Sequence, residues 1–209
     1  MSAAAPARAT ARVGAAPHVY FDRAHDRDAV KVLPGEYCAT ERDMVLVTVL
    51  GSCVAACIRD PHLAIGGMNH FMLPDAAGHA DAPVSASARY GNYAMEMLIN
   101  QLVKMGARRG ALEAKVFGGG NVLKGLTVAN VGQRNAEFVL RYLATEGIPV
   151  LARDLVDAYP RKVYYFPRSG RVRVKKLRDV ANDTIFERER DYGSQLSGAE
   201  IHGEVELFA

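Results

Sequence analysis

The 209-residue sequence predicts a strand-rich α+β domain with two core helices. Three observations carry this. Met44 to Leu50 is a nearly unbroken valine-rich apolar run, the pattern of a strand covered on both faces. Two hairpin patterns follow, one turning at Asp60-Pro61-His62-Leu63 and one at Pro167-Arg168-Ser169-Gly170. Two amphipathic stretches lie between them, each stopped by a glycine.

The elements run in order as follows. Met1 to about Pro17 is rich in Ala, Arg and Pro without apolar periodicity and reads as disordered, and with the charged stretch to Asp28, anchored only by Tyr20 and Phe21, it makes residues 1–28 a disordered or loosely held arm. Folded structure is expected from Ala29, where a short strand precedes a Pro34-Gly35 turn. After the first hairpin, a loop rich in Pro, Gly and Asp carries His79 and Asp81 as solvated groups. The first helix presents Ala94, Met97, Leu98, Gln101, Leu102 and Met105 at i, i+3, i+4 spacing and ends at Gly106. A strand from Ala111 to Phe117 runs into Gly118-Gly119-Gly120-Asn121, which fits neither phosphate-binding glycine pattern and reads as a loop of close backbone approach. The second helix spans about Gly132 to Glu146, and Ile148 to Ala152 reads as a strand. The folded domain is thus expected over residues 29–178. Residues 179–209 form a charged tail with two readings, disorder or docking, and Glu187 to Asp191 is a helical or solvated face. The final residues, Gly203 to Ala209, alternate acidic and apolar side chains and could add an edge strand.

Composition excludes several classes. A formal charge of +3 with interspersed signs gives no footprint for nucleic acid. No apolar run reaches the length of a membrane span and the first residues lack a signal-peptide core, so a cytoplasmic protein without membrane insertion is expected. Three cysteines, Cys38, Cys53 and Cys57, form no disulfide framework. Cys53-x-x-x-Cys57 has no second ligand pair at zinc spacing, so no metal is expected.

The chemistry concentrates in Met44 to Pro74. With a two-residue tip pairing Asp60 and Leu63, antiparallel counting puts Cys53 opposite His70, where Cβ atoms of a directly opposed pair are about 5 Å apart. A thiol and an imidazole so placed have the geometry of a nucleophile and its base, against the blander reading of a buried cysteine near a structural histidine. A bulge at Gly66-Gly67 would turn His70 to the other face. Gly51-Ser52 allows a sharp bend that leaves backbone N–H groups near the sulfur as oxyanion donors, while Cys57 falls on the same strand face as Cys53 and reads as packing.

These residues resemble a known family. Leu50-Gly51-Ser52-Cys53-Val54 and Gly66-Gly67-Met68-Asn69-His70-Phe71-Met72-Leu73-Pro74 are similar to the paired motifs of the chemoreceptor glutamine deamidases, the CheD family. The likeness continues through Arg89 to Ala94, Glu113 to Gly120 and Val131 to Ala136, covering about Val30 to Leu177. The resemblance implies a β-sandwich of α+β class with helices packed on the outside, like the catalytic domain of cytotoxic necrotizing factor toxins. It implies a cofactor-free cysteine amidohydrolase, with Cys53 as nucleophile, His70 as base and Thr48 as the third catalytic member. Ser52 and Cys53 N–H groups are the oxyanion donors expected at the bend. The implied substrates are glutamines in the cytoplasmic coiled coil of chemoreceptors, and a CheC-type phosphatase is an implied partner. The alternatives are a binding module that regulates such a phosphatase or the receptor array without chemistry, and a general cysteine protease or transglutaminase.

Overall fold

The computed structural model describes residues 18–73, 86–121, 131–177, 187–192 and 194. The arm before residue 18, the loop with His79 and Asp81, and the end from Gly203 to Ala209 lie outside the described residues. Among the described residues, ten strands form two five-stranded sheets. The first sheet orders β1 (Val19–Asp22), β2 (Arg27–Lys31), β4 (Val45–Leu50), β9 (Arg161–Phe166) and β10 (Arg171–Lys176). The second orders β3 (Tyr37–Thr40), β6 (Ile65–Asn69), β5 (Val54–Asp60), β7 (Glu113–Gly118) and β8 (Val150–Leu155). The sheet begins at Val19, because β1 pairs with β2 from Val19↔Val30 to Asp22↔Arg27, ahead of the Ala29 expected from sequence.

The period-two alternation of the strands sorts side chains into layers. Val30, Leu46, Leu50 and Val163 of the first sheet pack with Ala55, Cys57 and Met68 of the second and with Cys53 just before β5, and this apolar seam joins the two sheets. The opposite face of the second sheet, with Val54, Ala56, Ile58, Ala114 and Val116, packs on the helices α1 (Ala86–Lys104) and α2 (Val131–Thr145) through Met95, Leu98, Leu102, Val139 and Leu143. The result is α+β, two facing sheets with helices outside the second. α2 lies between β7 and β8 in the chain, and these strands pair in parallel, as a helical crossover requires. β10 alternates exposed and half-buried residues and sets Arg171, Arg173, Lys175 and Lys176 along a sheet edge, where charge opposes pairing with another chain.

The first hairpin corrects the sequence-derived register. β5 and β6 pair Asp60↔Ile65, Arg59↔Gly66, Ile58↔Gly67 and Cys57↔Met68, so four residues form the turn instead of two. Asp60 causes this. Its buried carboxylate accepts from the His62 and Leu63 N–H groups at 2.9 and 3.4 Å and from Arg108 N–H at 3.0 Å, and Ala64 takes a positive φ of 54°. These hydrogen bonds hold the Asp60 carboxyl below the usual range against the opposing effect of burial. The ladder runs through Gly66 and Gly67 without a bulge, and Val54 bridges Phe71. Cys53 is therefore not directly opposite His70. The shift is by two residues, an even number, so the face that each side chain occupies is unchanged.

Gly67 is required by close packing. A Cβ there would lie 2.6 Å from Cys38 O and 2.7 Å from Leu98 Cδ1, between the β3 backbone and α1. Gly67→Ala is expected to cost about 1–3 kcal/mol by overpacking. For a chain of this size that lowers Tm by roughly 2–4 °C per kcal/mol. Gly110→Ala, where a Cβ would meet nothing within 4 Å, is the control. Equal melting temperatures for the two variants by calorimetry would refute the packing argument.

Candidate functional site

β4 ends in the first sheet at Leu50 and β5 begins in the second at Val54, so Gly51-Ser52-Cys53 carries the chain from one sheet to the other. Its neighbours hold this corner by backbone. Gly119 and Gly120 N–H donate to Cys53 O and Gly51 O, both at 2.7 Å. Gly118 must be glycine, since its φ is 113° and a Cβ would lie 2.2 Å from Cys53 O. Gly118-Gly119-Gly120 is thus the close-approach loop that the sequence suggested. Asn135 of α2, fully buried, donates from Nδ2 to Ser52 O at 2.9 Å and accepts Leu73 N–H at 2.9 Å. Buried Arg161 donates to Gly118 O at 3.0 Å and pairs with Asp154 at 3.2 Å, which fixes the glycine loop from β9.

His70 follows β6, and its backbone exchanges hydrogen bonds with the 35–36 turn, Gly35 N–H to His70 O at 2.8 Å and His70 N–H to Glu36 O at 2.9 Å. Its ring faces the seam between the sheets. Thr48 of β4 meets it there, with Oγ1 2.8 Å from His70 Nδ1 and 2.8 Å from Val32 O. A carbonyl only accepts, so the Thr48 hydroxyl proton goes to Val32 and Oγ1 accepts from the ring. His70 therefore carries its proton on Nδ1 and keeps a lone pair on Nε2, which is buried and has no hydrogen-bond partner among the described residues. A ligating nitrogen of His70, Cys53 Sγ and a Glu189 oxygen all lie within 4.8 Å of one another.

Glu189 is the residue that sequence reasoning missed. Residues 187–192 form a short helix, α3, beside the corner. The Glu189 carboxylate accepts from Gly51 N–H and Ser52 N–H at 2.8 Å each, from Cys53 N–H at 3.2 Å and from Ser52 Oγ at 2.8 Å. Gly51 permits the approach, because a Cβ there would lie 2.6 Å from Glu189 Oε2. Gly51 and Cys53 N–H thus share Glu189 Oε1 while Ser52 N–H and Oγ share Oε2, so the two backbone donors expected for an oxyanion here hold different oxygens of one carboxylate. Arg188 donates to Val49 O at 3.3 Å, and Tyr192 hydrogen-bonds the Tyr90 hydroxyl of α1.

The site is closed. Cys53, His70 and Thr48 are 0 to 1% exposed and Glu189 is 6% exposed. Burial pushes the Cys53 thiol well above its ordinary value, and the adjacent Glu189 charge pushes it further. Burial lowers His70 to about 4, against the opposing Glu189 charge. Thiol and imidazole are thus both neutral with α3 in place. A pocket of about 130 Å³ adjoins His70, lined by Glu36, Tyr37, Asn69, Tyr90, Tyr93 and Met97. Cys57 packs in the seam with Cys53, as its spacing suggested, and burial raises it to a pKa above the ordinary thiol range. Cys38 is buried in the same seam.

Comparison with known proteins places this arrangement in a family. A family model described as "CheD chemotactic sensory transduction" matches residues 72–176. A "Probable chemoreceptor glutamine deamidase CheD" of Janthinobacterium sp. (strain Marseille) is 62% identical over 93% of this chain and 96% of its own. The "Probable chemoreceptor glutamine deamidase CheD 1" of Dechloromonas aromatica (strain RCB) is 64% identical over 90% and 93%, respectively. A crystal structure of the Bacillus licheniformis hypothetical protein YfiH aligns with a TM-score of 0.36 and 14% identity, over 58% of this chain and 49% of that one, a likeness too slight to argue from. With near-complete coverage at such identity, and the Cys53 and His70 motifs meeting at one buried corner, the chain belongs to the CheD family.

Proposed function

We propose that this protein is a protein-glutamine deamidase that converts glutamines in the cytoplasmic coiled coil of chemoreceptors to glutamates, with its catalytic domain spanning the two sheets. The relatives' names give the substrate class, and one observation supports the chemistry. A thiol, an imidazole whose second nitrogen has no hydrogen-bond partner among the described residues, and three N–H donors directed at one carboxylate lie together where two sheets meet.

The roles follow from atoms. His70 Nε2 takes the Cys53 proton as Sγ attacks the glutamine Cδ. The carbonyl oxygen becomes an oxyanion held by N–H groups of Ser52 and Cys53, with Gly51 adjacent, donors whose peptides are oriented by the surrounding backbone and which Glu189 must vacate first. The imidazolium returns its proton to the departing ammonia. Water, deprotonated by the same nitrogen, opens the thioester to glutamate and restores the thiol. Thr48 is a positioning residue, which fixes the tautomer that makes Nε2 the base. Each conversion adds a negative charge to the receptor helix surface, changing repulsion between neighbouring helices. A CheC-type phosphatase is the further partner we propose.

Mass spectrometry of a receptor fragment incubated with the protein is expected to show a gain of about one mass unit per modified glutamine, with ammonia released and no peptide cleavage. Cys53→Ala and His70→Ala are expected to lose at least about 100-fold in rate. Retention of full activity by either would refute the assignment. A cellular effect that survives Cys53→Ala would instead favour the non-enzymatic regulator.

Thr48→Val is expected to lower kcat by about 100-fold through misplacement of the ring, with KM little changed. Thr48→Ser, which keeps the hydroxyl, should recover most of it. Failure of serine to rescue would count against the positioning role.

Burial of neutral His70 also predicts a pH dependence of stability. Its pKa falls from 6.5 to about 4 on folding, so between those values the unfolded chain binds a proton there that the folded chain does not. This contribution is fully present above 6.5 and is lost as pH falls towards about 4. Tm measured across that window should fall more steeply with acid for the wild type than for His70→Gln, and parallel curves would contradict the prediction.

A further inference from the structure

The donors that an oxyanion would use are already engaged by a side chain of this protein. Glu189 sends one carboxylate oxygen to Gly51 and Cys53 N–H and the other to Ser52 N–H and Oγ. That carboxylate also lies within 4.8 Å of the sulfur and of a ring nitrogen of His70. A glutamate side chain carried on a helix, with its carboxylate on the oxyanion donors beside the nucleophile, is chemically the product of glutamine deamidation.

The contact is built for this carboxylate. Gly51 leaves the space into which Oε2 fits. Ser52 adds a hydroxyl to its own N–H on the same oxygen. α3 is tied down on both sides of Glu189, by Arg188 to the β4 backbone at Val49 and by Tyr192 to Tyr90 of α1. With α3 seated, Cys53 is fully buried and no outside carboxamide can reach it.

We propose that α3 is an intramolecular product analogue, with Glu189 filling the acyl position of the site, so that the enzyme is self-occluded until α3 leaves. This rests on the deamidase reading for the meaning of the occupied position, while the occlusion itself is a property of the fold. A glutamine at position 189 can keep its oxygen on the Gly51 and Cys53 N–H groups and turn its NH2 towards Ser52, giving up the Ser52 N–H bond while the Ser52 hydroxyl rotates to accept, and in that seating it is a substrate in cis. In Glu189→Gln, Cys53 Sγ would add to the side-chain Cδ, the C–N bond would break, and nitrogen would leave as ammonia with the proton relayed through His70. Water would then add to the thioester, leaving a carboxylate and the thiol.

Two measurements on the full chain test this. The first is the mass of the peptide containing position 189 in E189Q. Conversion to glutamate, a gain of about one mass unit, is expected in E189Q and not in E189Q carrying Cys53→Ala. The second is the rate of iodoacetamide alkylation at Cys53, read by peptide mapping so that Cys38 and Cys57 are counted separately. If α3 is seated in at least nine molecules of ten, Glu189→Ala should react roughly 10-fold faster than wild type or more. A carboxamide that stays intact in folded E189Q, or equal alkylation rates for folded E189A and wild type, overturns the proposal. Circular dichroism establishes the fold of each variant. Faster alkylation and cis conversion in variants that leave receptor fragments untouched would uphold the occlusion and overturn the receptor substrate instead.

Discussion

The hydrogen bond from His70 to Thr48 spans the seam between the two sheets, and the chemistry of the site depends on it. Thr48 belongs to β4 in one sheet and His70 follows β6 in the other. Neither residue can set the tautomer alone. The hydroxyl proton is committed to Val32 O, so the ring must donate, and the sheets must sit at one spacing for both bonds to form. Leu46, Leu50, Val163 and Met68 around the pair set that spacing by packing. Interiors are close-packed and resist small displacements, so an apolar seam can hold a polar geometry to within tenths of an ångström.

The corner at Gly51-Ser52-Cys53 shows a second use of the same architecture. A chain crossing between sheets leaves its ladder, and its peptide groups need other partners. The carbonyls of Gly51, Ser52 and Cys53 find Gly120, Asn135 and Gly119, which fixes the orientation of the peptides. The N–H groups are then directed to the opposite side, towards the place where negative charge is received. Arg161 acts at one remove, holding the glycine loop that holds the corner.

Much of this was legible in the sequence, and the failures have physical causes. The valine-rich run, the glycine-stopped helices and the 161–176 hairpin report local periodicity directly. A two-residue tip places the first hairpin two residues out of register because Asp60 caps a longer turn, a side-chain effect that residue preferences at such a tip do not carry. Cys53 and His70 still fell on the expected face because strand parity survives an even error. β1 was missed because Val19, Tyr20 and Phe21 are exposed and carry no buried pattern. Glu189 was illegible for a different reason. Its run of alternating charges matches a solvated helix, and its partners at 51–53 lie far away in the chain, so only the three-dimensional structure joins them.

The closed corner also bears on the durability of the nucleophile. Oxidants attack the thiolate, and each step beyond sulfenic acid is effectively irreversible for an ordinary cysteine. Cys53 is shielded from solvent, and its surroundings favour the protonated form. The reactive sulfur is therefore stored as a chemically quiet thiol, and it becomes vulnerable to peroxide only in the same opened form that can do work.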